Sequence, residues 1–227
     1  MILTVTAGKG GVGKSTVAYN LAAELGAVVV DADLGMADLP ASTGPDLHDV
    51  LAGRATPGEA VREGGPVDVL PCGRTLAGAR AAEPTALLET VESVAREYGR
   101  VVIDSPAGMR CDVGLPLLAA DACVLVTRPR KPAVLDALRT RELARTIGTP
   151  LAQVVLNRVE AALSTETDRL NRFATTFGAP VTTIPEAEIV ARAQRSGQPL
   201  RMIAPNSRPA RQFESLASVV ESAVSGT

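Results

Sequence analysis

The segment GKGGVGKST, residues 8–16, holds two lysines among four glycines. Glycines at that density let the backbone turn its N–H groups inward around an anion, and the spacing G-x-x-x-x-G-K-[ST] is that of a loop cradling a phosphate chain. Gly8, Gly10, Gly11, Val12 and Gly13 supply that backbone, and Lys14 is placed to span the β- and γ-phosphates. Ser15 is placed to ligate Mg²⁺ and Thr16 to meet the α-phosphate, at the start of a helix whose dipole favours negative charge. Lys9 has no role in the general pattern, which asks for no charge there.

Two acidic motifs complete the chemistry. VVVDADLGMADL (28–39) puts Asp31 at a strand end and Asp33 two residues on, and VVIDSPAGM (101–109) puts Asp104 at another strand end before a Pro/Gly loop. A hard divalent cation keeps several waters and takes few protein carboxylates, so Asp31 and Asp104 are expected beside a Mg²⁺ ion, Asp104 through water. That leaves Asp33 to orient an attacking water. At the base end, VVLNR ends a strand at Asn157, whose amide can pair with an adenine edge or cap a turn; TIPEAE supplies Pro185 and Glu186. No T/NKxD guanine motif occurs, which favours ATP over GTP. Asp38 is read as a turn residue and Asp46 as the N-cap of a short LHDVLAG helix.

Residues placed in this way need strands that stop together. Continuous β-branched runs fall at 2–6, 27–31, 67–71, 100–104, 122–127, 152–157 and 180–184, suiting strands covered on both faces. Between them helical spacing predicts helices at 15–25, where Val17, Ala18, Leu21, Ala22 and Leu25 recur, and from Pro84 to Tyr98. Others are expected from near Pro132, Ser164 and Pro185, and over 209–223. The βαβα order implies an α/β fold: a doubly wound, mainly parallel sheet flanked by helices on both faces, with ligands beyond the carboxyl ends of the strands.

At 227 residues without a composition break, one domain over 1–227 is expected. A formal charge of −2 gives no global reason to bind nucleic acid or an anionic membrane. Three cysteines without a C-x-x-C fit a reducing cytoplasm, and MILTVTAG, with no basic n-region or cleavable apolar segment, is not expected to act as a signal peptide. The apolar stretch 113–127 is broken by Pro116 and Asp121, too early for a bilayer span. With two Tyr, three Phe and no Trp there is little to stack single-stranded bases. His48, away from the phosphate motifs, is expected at the surface, and Phe173 and Phe177 in the core.

GKGGVGKST, DADLGMADL and DSPAGM, in this order, resemble the deviant Walker A P-loop ATPases, and within them the MinD-type branch of the MinD/ParA family. The resemblance runs from Ile2 to about Val224. It implies an ATP-dependent homodimer closing around two nucleotides, with Lys9 reaching into the other subunit's site as an arginine finger does. The residues agree: a cation in a loop already served by Lys14 and Mg²⁺ acts more readily outward. Slow ATP hydrolysis that positions a partner or activator protein, as in division or partition machinery, follows from the same resemblance.

Alternatives differ in their carriers. A ParA-like DNA-binding ATPase would use Arg192, Arg195, Arg201, Arg208 and Arg211, otherwise a solvated face; an iron–sulfur carrier would use Cys111 with Cys72; a scaffold would bind ATP with little turnover. The terminal RQFESLASVVESAVSGT sets Phe213, Leu216, Ala217 and Val220 on one face with glutamates and serines elsewhere, rather than as a basic amphipathic helix, which argues for packing on the sheet and against direct membrane anchoring.

Overall fold

Side chains alternate in environment along the first strand. Leu3, Val5 and Ala7 face one buried layer, while Thr4 and Thr6, equally buried, face the other. A strand covered on both sides has no solvent face to mark with polar residues, hence the continuous apolar runs. In this computed structural model, which describes residues 1–33, 44–73, 75–108, 111–160 and 166–225, seven strands among those residues form one parallel sheet. They are β1 (Ile2–Ala7), β2 (Val28–Asp31), β3 (Val69–Leu70), β4 (Val101–Asp104), β5 (Ala122–Thr127), β6 (Leu151–Val159) and β7 (Val181–Pro185).

The strand order is β3-β2-β4-β1-β5-β6-β7. β1 therefore lies between β4 and β5; the connection from β1 runs to β2 on one side, while that from β4 crosses to β5 on the other, and this reversal opens a crevice at the carboxyl end of β1. Register places Val5 beside Asp104 and Asp104 beside Asp31. The loop after β1 and the two strand-end aspartates thus meet at one edge.

One face carries α1 (Lys14–Leu25), α9 (Glu188–Ser196), α10 (Leu200–Ile203) and α11 (Arg208–Ser225). Phe213, Leu216, Ala217 and Val220 of α11 are buried against that layer, as the pattern predicts. The other face carries α2 (Leu47–Leu51), α3 (Pro57–Ala60), α4 (Leu76–Ala81), α5 (Leu87–Tyr98, entered by a 3-10 turn at Pro84–Ala86), α6 (Cys111–Ala119), α7 (Lys131–Ile147) and α8 (Thr167–Phe177). Phe177 is buried and Phe173 packs partly buried beside it.

Several boundaries differ from the sequence-based expectation. The helix expected from Pro185 begins at Glu188, because Pro185 still pairs with Val159 as the last residue of β7. The 67–71 run shortens to Val69–Leu70 at the sheet edge. α6 was not expected, since Pro116 breaks the pattern; Val113 and Leu117, four residues apart and fully buried, hold it by tertiary contact. Thr4 Oγ1 donates to the Pro116 carbonyl at 2.6 Å, tying α6 to β1. Ser164 and Asp38 lie outside the described residues.

His48 is a correction: it is 2% exposed rather than at the surface. Asp46 caps α2 as expected, with a capping box to Asp49, and this turns the next helical residues inward under the edge of β3. His48 Nε2 comes within 3.6 Å of the Cys72 sulfur. Short helices give too few residues for periodicity to name the buried face.

Candidate functional site

Gly13 precedes α1 in the left-handed region, φ 97°, and its carbonyl accepts from Val17 N at 3.0 Å. A Cβ there would meet Asn157 Nδ2 at 2.1 Å, so the position admits only glycine. Asn157 Nδ2 donates to the Val12 carbonyl at 2.8 Å, pinning the loop to the end of β6, and Asn157 Oδ1 accepts from Arg158 N at 2.9 Å. One N–H and one lone pair of this amide remain for a base.

Gly8 is required for a different reason. A Cβ on it would stand 2.2 Å from the Asp136 backbone carbon, so the loop lies directly on α7. Gly10 differs again: a Cβ there would meet nothing within 4 Å. The chain's own packing therefore does not explain a glycine at 10, whereas close approach of a phosphate to the backbone does. Lys9 beside it is exposed.

Lys14 is 6% exposed and its Nζ lies 2.5 Å from Asp104 Oδ1. The sequence assigned Lys14 to phosphate and Asp104 to the metal; the structure adds that the two are a buried ion pair. Asp31, fully buried, stands next to Asp104 in the sheet, and its Oδ1 accepts from Asp33 N at 3.3 Å. Asp33 is half-buried and its carbonyl accepts from the Cys72 thiol at 3.3 Å. Two buried carboxylates and a serine hydroxyl are hard oxygen donors, few in number, with the Lys14 ammonium beside them as a cation for phosphate; that set fits Mg²⁺ bound mainly through water and phosphate oxygen.

A cleft of about 220 Å³ opens beside the helix start, with Thr16, Asn157, Pro185, Glu186, Val190 and Gln194 in its walls. Asn157, Pro185 and Glu186 are therefore brought together as the sequence suggested. Gln194 and Val190 were missed there, although their four-residue spacing on α9 was readable; Gln194 Oε1 accepts from Thr16 Oγ1 at 3.3 Å. α9 and α10 are held against α1 by Tyr19 OH donating to the Gly197 carbonyl at 2.8 Å and by Leu200 N donating to Asn20 Oδ1 at 2.8 Å. Arg158 also lines the cleft, and no local pattern announced it.

The carriers of the alternatives fare differently. Cys72 is buried, and burial followed by the charges of Asp31, Asp46 and Asp33 pushes its thiol well above the ordinary range, which disfavours the thiolate that iron would need. The Cys111 side chain lies outside the described residues. Of the arginines, Arg201 donates to the Ala23 carbonyl and Arg211 to the Asn206 carbonyl at 2.6 Å, so both serve local structure. Among the described residues no helix is long and apolar enough to cross a membrane.

Residues 3–200 match the CobQ/CobB/MinD/ParA nucleotide binding domain. An uncharacterized ATP-binding protein of Methanocaldococcus jannaschii is 34% identical over 231 residues, covering 97% of this chain and 88% of that protein. The cell division ATPase MinD of Pyrococcus furiosus superposes with a TM-score of 0.86 at 30% identity, over 97% of this chain and 98% of that one. The septum site-determining protein MinD of Pyrococcus horikoshii, solved with Mg-ADP, gives 0.86 at 28% identity, over 97% and 95%.

Proposed function

Since the chain belongs to the CobQ/CobB/MinD/ParA nucleotide-binding family, with MinD proteins among its relatives, we propose that it is a Mg²⁺-dependent ATPase that dimerises on ATP and releases on hydrolysis. The observation that carries this is the buried Lys14–Asp104 pair beside Asp31, under a glycine loop whose residue 10 leaves open space. That set joins a phosphate cradle, a metal-side carboxylate pair and a loop in one place.

The roles divide by position. Backbone N–H groups of residues 10–16 orient the phosphate chain, and the first turn of α1 adds its dipole. With nucleotide bound, Lys14 would exchange its Asp104 contact for phosphate oxygens, and Ser15, Asp31 and Asp104 would hold the Mg²⁺ side. A bound Mg²⁺ ion would supply charge neutralisation on the phosphates. Asp33 orients the attacking water, and Lys9, exposed in the loop, serves the second subunit's nucleotide. Asn157, Pro185 and Glu186 receive the base. Because Asp104 leads directly into the loop after β4, loss of the γ-phosphate is coupled to that loop and to dimer release.

The cycle positions a partner protein, as a division or partition switch would; the relatives named for cell division and septum placement support this assignment. The site is cytoplasmic in this proposal, and the chain acts as one domain over residues 1–227. The test is light scattering with Mg·ATP: Asp33→Ala should accumulate as a dimer, and Lys9→Ala should stay monomeric while keeping most of its nucleotide affinity. A Lys9→Ala protein that dimerises and turns over normally removes the trans role. Absence of any nucleotide binding by the parent protein removes the ATPase itself.

A further inference from the structure

A second cleft, of about 190 Å³, shares Arg158 and Glu186 with the first and is otherwise lined by Arg128, Pro129, Arg130, Glu160 and Arg169. Four guanidinium groups from the β5–α7 connection, the end of β6 and α8 thus face two carboxylates. Like charges gathered in one concavity repel unless an anion joins them.

Two independent features say that the gathering is built rather than incidental. Arg158 has φ 54°, and among the described residues it is the one non-glycine with positive φ. It is the unpaired residue at the register shift between Asn157 and Val159, a bulge in the pairing of β6 with β7, and its side chain is exposed; bulges of this kind re-aim a side chain at the rim of a sheet. The Asn157 Oδ1 bond to Arg158 N at 2.9 Å helps fix that conformation. Arg128 is half-buried, and its Nε is enclosed with no acceptor among the described residues. Burial first, and then the charges of Arg158 and Arg130, lower the Arg128 pKa against the opposing effect of Glu186. The ion pair nearest this cluster, Arg169 Nη1 to Glu166 Oε2 at 3.6 Å, uses a glutamate outside the cleft wall.

We propose that this cleft is a second anion site, distinct from the glycine loop, that takes a small tetrahedral oxyanion of the phosphate class through Arg128, Arg130 and Arg158. Guanidinium groups arriving from separate segments suit oxygens that point in different directions, whereas a planar carboxylate is matched by one fork. Glu160 and Glu186 limit the net positive charge, which favours a small anion over a long polyanion. Free phosphate and the phosphate of a phosphorylated metabolite share this chemistry.

The experiment is calorimetric titration of inorganic phosphate into protein saturated with Mg·ADP, which fills the α- and β-phosphate positions of the glycine loop; phosphate entering the open γ position is told apart because the arginine variants leave it unchanged, and this step rests on the proposed nucleotide function. One further phosphate site is expected, and Arg128→Gln/Arg130→Gln should weaken it about tenfold or more while retaining Mg·ADP binding, which also reports folding. Arg158→Gly relaxes the positive φ without harm to folding and should weaken the same site. Should Mg·ADP not bind at all, the nucleotide proposal fails separately, and phosphate titrated directly into parent and variant proteins still reads this cleft. Glycerol phosphate binding tighter than phosphate assigns the cleft to a phosphorylated metabolite, and weaker binding assigns it to free phosphate. No phosphate heat, equal affinity in the arginine variants, or acetate binding as tightly as phosphate overturns the proposal.

Discussion

At the scale of single residues, the glycines of the loop separate structure from binding. Gly13→Ala meets both a left-handed backbone and the Asn157 amide, so a loss of about 1–3 kcal/mol is expected, a fall of roughly 2–12 °C in Tm for a chain of this length. Gly10→Ala meets nothing, and its stability should stay within about 0.5 kcal/mol of the parent while nucleotide affinity falls. Thermal melts and nucleotide titration of the two variants check both statements; unchanged affinity in Gly10→Ala shows that the open space belongs to no ligand. The buried thiols give a pH dependence. Cys123 is pushed up from 9.0 to about 12 by burial, and Cys72 further still. The unfolded chain then loses these protons first, so it binds fewer protons than the folded chain and stability falls as pH rises from about 9 toward 12. Denaturation midpoints across that range should fall less steeply in Cys72→Ala/Cys123→Ala.

At the scale of elements, the site depends on how helices are anchored far from it. α11 carries no chemistry, yet Phe213 is 1% exposed and packs with α1, the helix that begins at Lys14. Phe213→Ala should cost about 3–5 kcal/mol by urea denaturation. A much smaller loss indicates that α11 detaches readily and leaves its apolar face available for other contacts. α6 shows the limit of local signals: its central proline forbids a helix by propensity, and burial of Val113 and Leu117 overrides it. α1, α5, α7 and α11 were legible because each is long enough for its apolar spacing to repeat, and each boundary glycine or proline marks an end. α3, α4 and α10, of 4, 6 and 4 residues, are too short to repeat anything.

At the scale of the whole molecule, nucleotide binding and folding should be one linked equilibrium. Mg·ADP at about 100 times its Kd should add about 2.7 kcal/mol to unfolding if it binds only the folded chain, read as a rise in Tm that Lys14→Ala abolishes. A single cooperative transition in the same experiment is the outcome expected of one domain. The sequence by itself determined the alternation of strand and helix, the glycine-rich turn between β1 and α1 and the strand-end positions of Asp31 and Asp104, because each rests on contacts within a few residues or on a spacing that the chain itself repeats. The pairing of Lys14 with Asp104, the adjacency of Asp31 and Asp104, the burial of His48 and the convergence of Arg128, Arg158 and Arg169 were decided only by the tertiary structure. Each depends on strand order and on which helix covers which face, and residues up to 90 positions apart carry no local trace of that choice.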